Sequence, residues 1–257
     1  MPLSKKIISY SLLFVLCCNA HLKAQNNPQD SSLKVNLVLI SAVGQLPAAD
    51  FAKRFGLGSN LRLEFHRLLP NNLMWGVSAG ALVGNQVRES NIASNLTTAQ
   101  GEIIDENGNF AVLELQERGI TAMAHIAKIY VLKGISPNQN SGLVVQGGIG
   151  FVQHKINIYS SGGYVPQLSG AYKKGYDRLT NGVALQQSIG YQNLSNNRRK
   201  NFYAGIDLIE ALTKNRRSYN FNTQTADNKL RLDIMIGLKI GFILPLYKKF
   251  ADEYISY

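Results

Sequence analysis

The sequence predicts an all-β fold: a single eight-stranded antiparallel transmembrane β-barrel with short periplasmic turns and long outer loops. Three observations predict it. The N-terminus reads as an export signal, eight segments alternate apolar and polar residues with a period of two, and the connections between them alternate in length. The clearest segment is "LRLDIMIGLKIGFILPLYKKF", from Leu230 to Phe250. Its even positions from Leu230 to Leu244 are large and apolar, while Arg231, Asp233 and Lys239 stand at odd positions. A helix would scatter these residues around its axis, whereas a strand divides them between two faces.

The chain opens "MPLSKKIISYSLLFVLCCNAHLKAQ". Lys5 and Lys6 precede an apolar run from Ile7 to Cys18, the order found in a secretory signal peptide. A spanning helix needs about 20 apolar residues, and this run is shorter. Residues 1–24 are assigned to the signal, with cleavage after Ala24 and Ala20 as the alternative. Cys17 and Cys18 leave with it, so the mature chain has no disulfide or thiol chemistry. Residues 25–247 are assigned to the barrel and 248–257 to a short tail.

In hydrocarbon every backbone donor and acceptor needs a partner, and a sheet meets that demand only by closing. A spanning strand needs roughly 9–11 tilted residues, with lipid-facing and lumen-facing side chains in alternation. Segment one, residues 33–41, places Leu33, Val35, Leu37 and Leu39 outward and Lys34 and Asn36 inward. In segment two, residues 58–68, Leu61, Leu63 and Phe65 oppose Arg62, Glu64 and His66. In segment three, residues 73–85, Trp75, Val77 and Ala79 oppose Gly76, Ser78 and Gly80. Segment four, residues 119–132, is ambiguous. Its even face turns outward because Lys128 can reach the membrane edge while His125 would lie deeper, and a bulge is the alternative. Segments five (142–159), six (182–194), seven (201–213) and eight (from Leu230) repeat the alternation.

The gap between segments one and two is about 16 residues, and the next is "LPNN". A long connection, 86–118, is followed by the short "GISPNQNS". Then come "SGGYVPQLSGAYKKGYDRLT", the short "SNNRRK", and "KNRRSYNFNTQTADNK". Short turns on one side and long loops on the other are the asymmetry of outer-membrane barrels. It places both termini on the short-turn, periplasmic side. Phe65, Trp75, Tyr130, Tyr191, Phe202 and Phe242 fall near that end, as an aromatic girdle would. A soluble sandwich shares the alternation but has no need to gather aromatics at one height.

The signal ending "KAQ", the strand texture of "WGVSAGALVG", "VVQGGIGFVQ" and "FYAGIDL", and the late strand "LKIGFILPLY" resemble the small, porin-like outer-membrane β-barrels of Bacteroidota. The resemblance covers nearly the whole mature chain. It implies an outer-membrane location and contact with membrane lipid and lipopolysaccharide. Some members of the family are parts of secretion machinery, so it also implies a possible envelope or secretion-complex protein partner. Members often end on an aromatic residue. Tyr257 is one, but the charged tail "KKFADEYISY" departs from the simple pattern.

The inward residues Arg62, Glu64, His66, Asp207, Arg231, Asp233 and Lys239 are expected to form a lumen charge network, because unpaired charges away from water are costly. The resulting reading is a non-enzymatic barrel with a polar-plugged lumen, a structural or anchoring component of an envelope assembly that binds through its loops. Two alternatives stand beside it. One is a small-solute or ion pore. The other is a lipid-modifying enzyme with His154 at the rim, which the resemblance allows because some small barrels are lipid deacylases or palmitoyl transferases. Ser160 lies about 20 Å from His154 along an extended strand, too far for proton exchange. No cofactor is expected, and no metal site, since the three mature histidines lie far apart in the sequence. Among the outer loops, Tyr164, Tyr172, Lys173, Lys174 and Tyr176 are the candidate binding residues, and Asp105 to Asn109 reads as the turn of a projecting hairpin. After signal removal, 24 basic and 16 acidic residues leave +8. The basic residues are scattered and no recognition motif accompanies them, which argues against nucleic acid.

Overall fold

The computed structural model describes residues 35–195 and 200–246. The signal 1–24, Lys34, Tyr247 and the tail 248–257 lie outside the described residues. The strands are β1 (Val35–Ala49), β2 (Gly58–Leu68), β3 (Leu73–Gly84), β4 (Ile103–Ile104), β5 (Phe110–Tyr130), β6 (Gly142–Ser161), β7 (Thr180–Asn193), β8 (Phe202–Asn215) and β9 (Leu230–Leu246). A four-residue helix, α1 (Phe51–Arg54), follows β1. No helix among the described residues is long and apolar enough to cross a membrane.

The sheet order is β3-β2-β1-β9-β8-β7-β6-β5-β4, and β3 also pairs with β5. That extra pairing makes the sheet ring-like, so eight strands have partners on both sides. The two-residue β4 pairs only with β5 and lies outside the ring. Every pairing is antiparallel and the registers run without a break, so segment four needs no bulge. Each of the eight alternating segments coincides with a strand of the ring. β5 begins earlier than expected, and its first residues form with β4 the hairpin predicted around Asp105 to Asn109. There Asp105 Oδ1 accepts hydrogen bonds from the backbone N–H of Asn107 and Asn109, both at 2.8 Å.

Side-chain direction follows the alternation on β2, β3, β5, β6 and β7. Leu61, Leu63, Trp75, Val77, Ile120, Ile126, Ile149 and Val183 point outward and are exposed, whereas Arg62, Glu64, His66, His125, Gln146 and Gln186 are buried within. Lys128 Nζ donates to the Asn71 carbonyl at the short turn, the reach expected of it.

β1 corrects the sequence reading. Leu37 and Leu39 face inward and are buried, while Ile40 and Leu46 are exposed outside. Val35 to Ile40 is apolar on both faces apart from Asn36, so alternation alone does not orient it. Ser41 and Gln45, both buried, fix the inward parity further along. Asn36 is therefore not a lumen residue; it accepts a hydrogen bond from Arg67 Nη1 at 2.9 Å. β1 also continues to Ala49, so the first outer connection is residues 50–57, shorter than expected.

Gly182 on β7 faces inward where the chains are closest, and a Cβ there would overlap the Leu212 carbonyl oxygen. Gly44 meets nothing within 4 Å. Gly182→Val should destabilise the refolded protein by about 1–3 kcal/mol, and Gly44→Val should leave its unfolding midpoint in urea nearly unchanged. Equal midpoints for the two variants would contradict this packing.

Candidate functional site

The lumen is layered. Toward the short turns, Leu37, Leu39, Leu68, Met74, Ile129, Val144, Tyr203 and Ile243 form an apolar cluster. Toward the outer mouth, Phe51 and Phe55, brought inward by α1, pack with Leu82, Val152, Ile209 and Met235 in a second cluster. Charged and polar residues lie between the two. The interior is thus a polar layer closed by apolar layers at both ends, and the apolar layers are what the expected polar plug leaves out.

Arg62 of β2 reaches across to Asp207 of β8 with two parallel bonds, Nη1–Oδ1 at 2.9 Å and Nη2–Oδ2 at 2.5 Å. Gln186 Nε2 donates to the same carboxylate at 2.7 Å. Glu64 Oε1 accepts from Ser41 Oγ at 2.9 Å. Lys239 Nζ stands 2.6 Å from the same oxygen but off the hydrogen-bond direction, and 4.9 Å from the centre of the Tyr203 ring. Two of the seven predicted network residues stand elsewhere. Arg231 pairs with Asp227 at 2.5 Å beside the outer loops, where a local i, i+4 partner competes successfully for it. Asp233 lies higher in the lumen with His154, at 2.8 Å, and accepts from Thr213 Oγ1 at 2.6 Å. Asp233 and Lys239 stand six positions apart on extended β9, about 20 Å of strand, so one layer cannot hold both. Ser41 and Gln186 are the contributors missing from the expected network.

The expectation that the histidines lie far apart fails in three dimensions. His66 pairs with Gly76 across β2 and β3, and Gly76 pairs with His125 across β3 and β5. The three residues form one row, and the missing side chain at Gly76 lets the two imidazoles approach to 4.7 Å between centroids. Glu64, two residues along the same face of β2, completes a buried set whose ligand atoms lie within 4.8 Å of one another. Sequence spacing hides this group; the signal is a histidine at inward parity on each side of a glycine strand.

His154 is not at an open rim. It is buried, and Phe51 and Phe55 present ring edges to it at 5.0 and 5.5 Å between centroids. Its Nδ1 has no hydrogen-bond partner among the described residues. Ser160 instead donates to the Gly163 carbonyl at 2.8 Å. His154 thus has an acid partner in Asp233, whose Oδ2 also accepts from the Thr213 hydroxyl, and all three side chains are buried.

The outer loops are folded together. Glu89 accepts from Arg54 at 3.0 Å and from Arg178 at 3.3 Å, joining the first three outer connections. Arg217 pairs with Asp177, and that hydrogen bond raises its pKa despite the opposing effect of burial. On this platform Tyr172, Tyr176, Tyr219 and Phe221, with Asn95, Gln167 and Gln224, line an open cleft of about 400 Å³. Of the five predicted loop residues, Tyr172 is exposed at the cleft. Tyr176 is buried beneath it, accepting from Asn95 Nδ2 at 3.0 Å and meeting Phe221 edge-on at 5.6 Å. Tyr164 is exposed and bonds Ser169 at 2.6 Å. Lys174 is exposed, whereas Lys173 is half-buried and bonds Asn157 Oδ1 at 3.1 Å. Burial lowers the Lys173 pKa, and Lys155 adds to the effect. Tyr219, Phe221, Gln167 and Gln224 enter the cleft from turns with no periodic pattern to mark them.

Phe65, Trp75, Tyr130, Tyr191, Phe202 and Phe242 all stand on the outward parity near the short-turn ends of their strands. Phe202 and Phe242 are register partners, and the Tyr191 and Phe202 rings lie 6.4 Å apart.

No known family model matches the chain, and no curated protein is significantly similar to it. Among solved structures, Ail, the attachment invasion locus protein of Yersinia pestis, is 10% identical with a TM-score of 0.43, covering 83% of this chain and 100% of that one. Neisserial surface protein A is 12% identical with a TM-score of 0.40, covering 80% and 96%. The outer-membrane protein OprG of Pseudomonas aeruginosa is 11% identical with a TM-score of 0.34, covering 85% and 99%. At such scores the functional reading rests on this chain's own side chains.

Breaking the central pair on one side strands a buried charge. Arg62→Met or Asp207→Asn alone should cost about 3–5 kcal/mol in urea unfolding of the refolded protein, and Arg62→Met with Asp207→Leu should recover much of that loss. Additive losses in the double variant would show that the pair is not coupled. At the loops, burial pushes the Asp227 carboxyl up, but the hydrogen bond from Arg231 and its charge outweigh this and hold it below the ordinary value. A lowered carboxylate stabilises the fold above the unfolded-state pKa and loses that contribution as pH falls through the folded value. Hydrogen exchange of residues 216–229, corrected for intrinsic rates, should therefore be flat between about pH 5 and 8 and rise below about pH 4. Arg231→Gln should remove the step.

Proposed function

We propose that the chain is a non-enzymatic, eight-stranded outer-membrane β-barrel that presents a ligand-binding loop platform and serves as an anchoring component of an envelope assembly. The observation that carries the binding role is the cleft: exposed aromatic rings beside side-chain amides, on loops fixed by the Glu89 ion pairs. Aromatic faces with neighbouring amide donors and acceptors suit a neutral glycan, the rings covering apolar sugar faces and the amides meeting hydroxyls. The flanking Lys173 and Lys174 allow an acidic sugar at the margin.

The membrane reading is supported by the outward surface. Ile40, Leu63, Ile126, Ile149, Leu238 and Ile240 are each more than half exposed. They recur around the ring, an apolar band far larger than the scattered patches of a soluble monomer. Hydrocarbon is the solvent that makes such a band stable, and the six aromatics fit its lower boundary. On this reading residues 1–24 are the signal, 25–247 the barrel and 248–257 a tail. The termini are periplasmic, and outer-membrane lipid and lipopolysaccharide surround the band. The two apolar layers of the lumen speak against an ion or solute pore, and the covered His154 speaks against a lipid-modifying enzyme.

Reconstituted into proteoliposomes, the protein should resist carbonate extraction, pass no ion current and bind members of a glycan array. Tyr172→Ala with Tyr219→Ala should weaken that binding by about five- to thirtyfold, about 1–2 kcal/mol of lost ring contact. Steady conductance, or glycan binding indifferent to both substitutions, would sink the proposal.

A further inference from the structure

Glu64, His66 and His125 do more than fill the lumen. Buried polar groups are almost always hydrogen-bonded. Yet none of the four ring nitrogens of His66 and His125 has a hydrogen-bond partner among the described residues, and neither does Glu64 Oε2. An internal hydrogen-bond network would direct at least one N–H of each ring at an acceptor. Here the nearest approach, His66 Nε2 to Glu64 Oε2, is 3.5 Å and lies outside hydrogen-bond geometry. Instead the three side chains converge, and one ligand atom from each lies within 4.8 Å of the other two.

We propose that these three residues hold a divalent transition-metal ion, zinc being the best fit. Two neutral imidazoles and one carboxylate are a recurring zinc donor set, and imidazole selects against magnesium and calcium. The backbone is arranged for it. His66 and His125 come from strands on either side of β3, and the gap between them lies over Gly76, where a Cβ would stand 2.8 Å from His125 Nε2. Glu64 divides its two oxygens: Oε1 faces Ser41 and Lys239, leaving Oε2 for the metal. Three protein ligands leave one tetrahedral position. A water molecule is the fourth ligand expected there; of the three residues only His66 borders a cavity, one of about 10 Å³ lined otherwise by Gln146, Gln192 and mainly apolar side chains. The ion would tie β2 to β5 across β3 as a structural clasp. The nearby ammonium of Lys239 opposes a second cation, so the affinity should be moderate. Apolar layers above and below mean that the ion enters as the barrel closes.

The test refolds the full mature chain into detergent micelles with an equimolar amount of zinc or cobalt, followed by desalting. About one zinc per chain should remain, and the cobalt form should show the intense visible bands of a tetrahedral nitrogen and oxygen site. Zinc should also raise the urea midpoint. His66→Gln and His125→Gln should each weaken retention by about tenfold or more, while His154→Gln should retain the ion. Circular dichroism on every variant verifies the fold. The cobalt spectrum of the wild-type chain keeps the question open to a negative answer even where a variant fails to fold. No retained metal in the wild type, six-coordinate cobalt bands, or wild-type retention in folded His66→Gln or His125→Gln would each overturn the assignment.

Discussion

Arg62 and Asp207 meet across the lumen from strands that are not neighbours. β1 and β9 lie between β2 and β8. Both side chains are almost wholly buried, and apolar layers separate them from either mouth. A charge so placed has no water to retreat to, so its partner must be at a fixed distance and angle. The guanidinium meets the carboxylate through two parallel bonds, which sets both. Lys239 and Glu64 impose a second such requirement from β9 to β2. These ties span the interior, whereas backbone hydrogen bonds act only between adjacent strands. They constrain the cross-section of the ring and with it the register in which every other inward residue must pack.

The outer end follows from the same constraint. Protecting the polar layer requires a cover, and the chain supplies it by turning α1 into the mouth. Phe51 and Phe55 close over His154, and Arg54 donates to Thr180 Oγ1 at 2.8 Å. The loops above are then attached to the cover through Glu89. Lumen, cover and cleft form one continuous chain of contacts from the middle of the barrel to its outer surface.

Much of this was legible in the sequence, for a reason that differs from place to place. Leu61, Arg62, Leu63, Glu64, Phe65 and His66 alternate without exception, and β2 is found within its predicted bounds. Val35 to Ile40 is apolar at five of six positions, and its orientation depended on Ser41 and Gln45 beyond the segment first recognised. The charges of Arg62, Glu64, Asp207 and Lys239 were visible as a group because parity alone puts them inside. Arg231 shared that parity, but height along the strand also matters, and alternation carries no information about height. His66 and His125 needed more still: their meeting depends on two strand registers at once. The cleft was half-legible, since "AYKKGY" announces aromatic and basic residues but not the approach of Tyr219 and Phe221 from a later loop.

The hairpin of β4 and β5 is tied to the neighbouring loop just below its tip, where the Glu106 N–H donates to the Tyr164 carbonyl at 3.0 Å. Its tip, at Asn107 and Gly108, is exposed, and its bend is closed locally by the Asp105 carboxylate. Below the tip the hairpin is anchored, because Ile103 and Ala111 belong to the same buried cluster as Phe51 and Phe55. A foreign peptide grafted between Asn107 and Gly108 would thus extend from a fixed base, so that one short bend is open to insertion while the strands beneath it resist it.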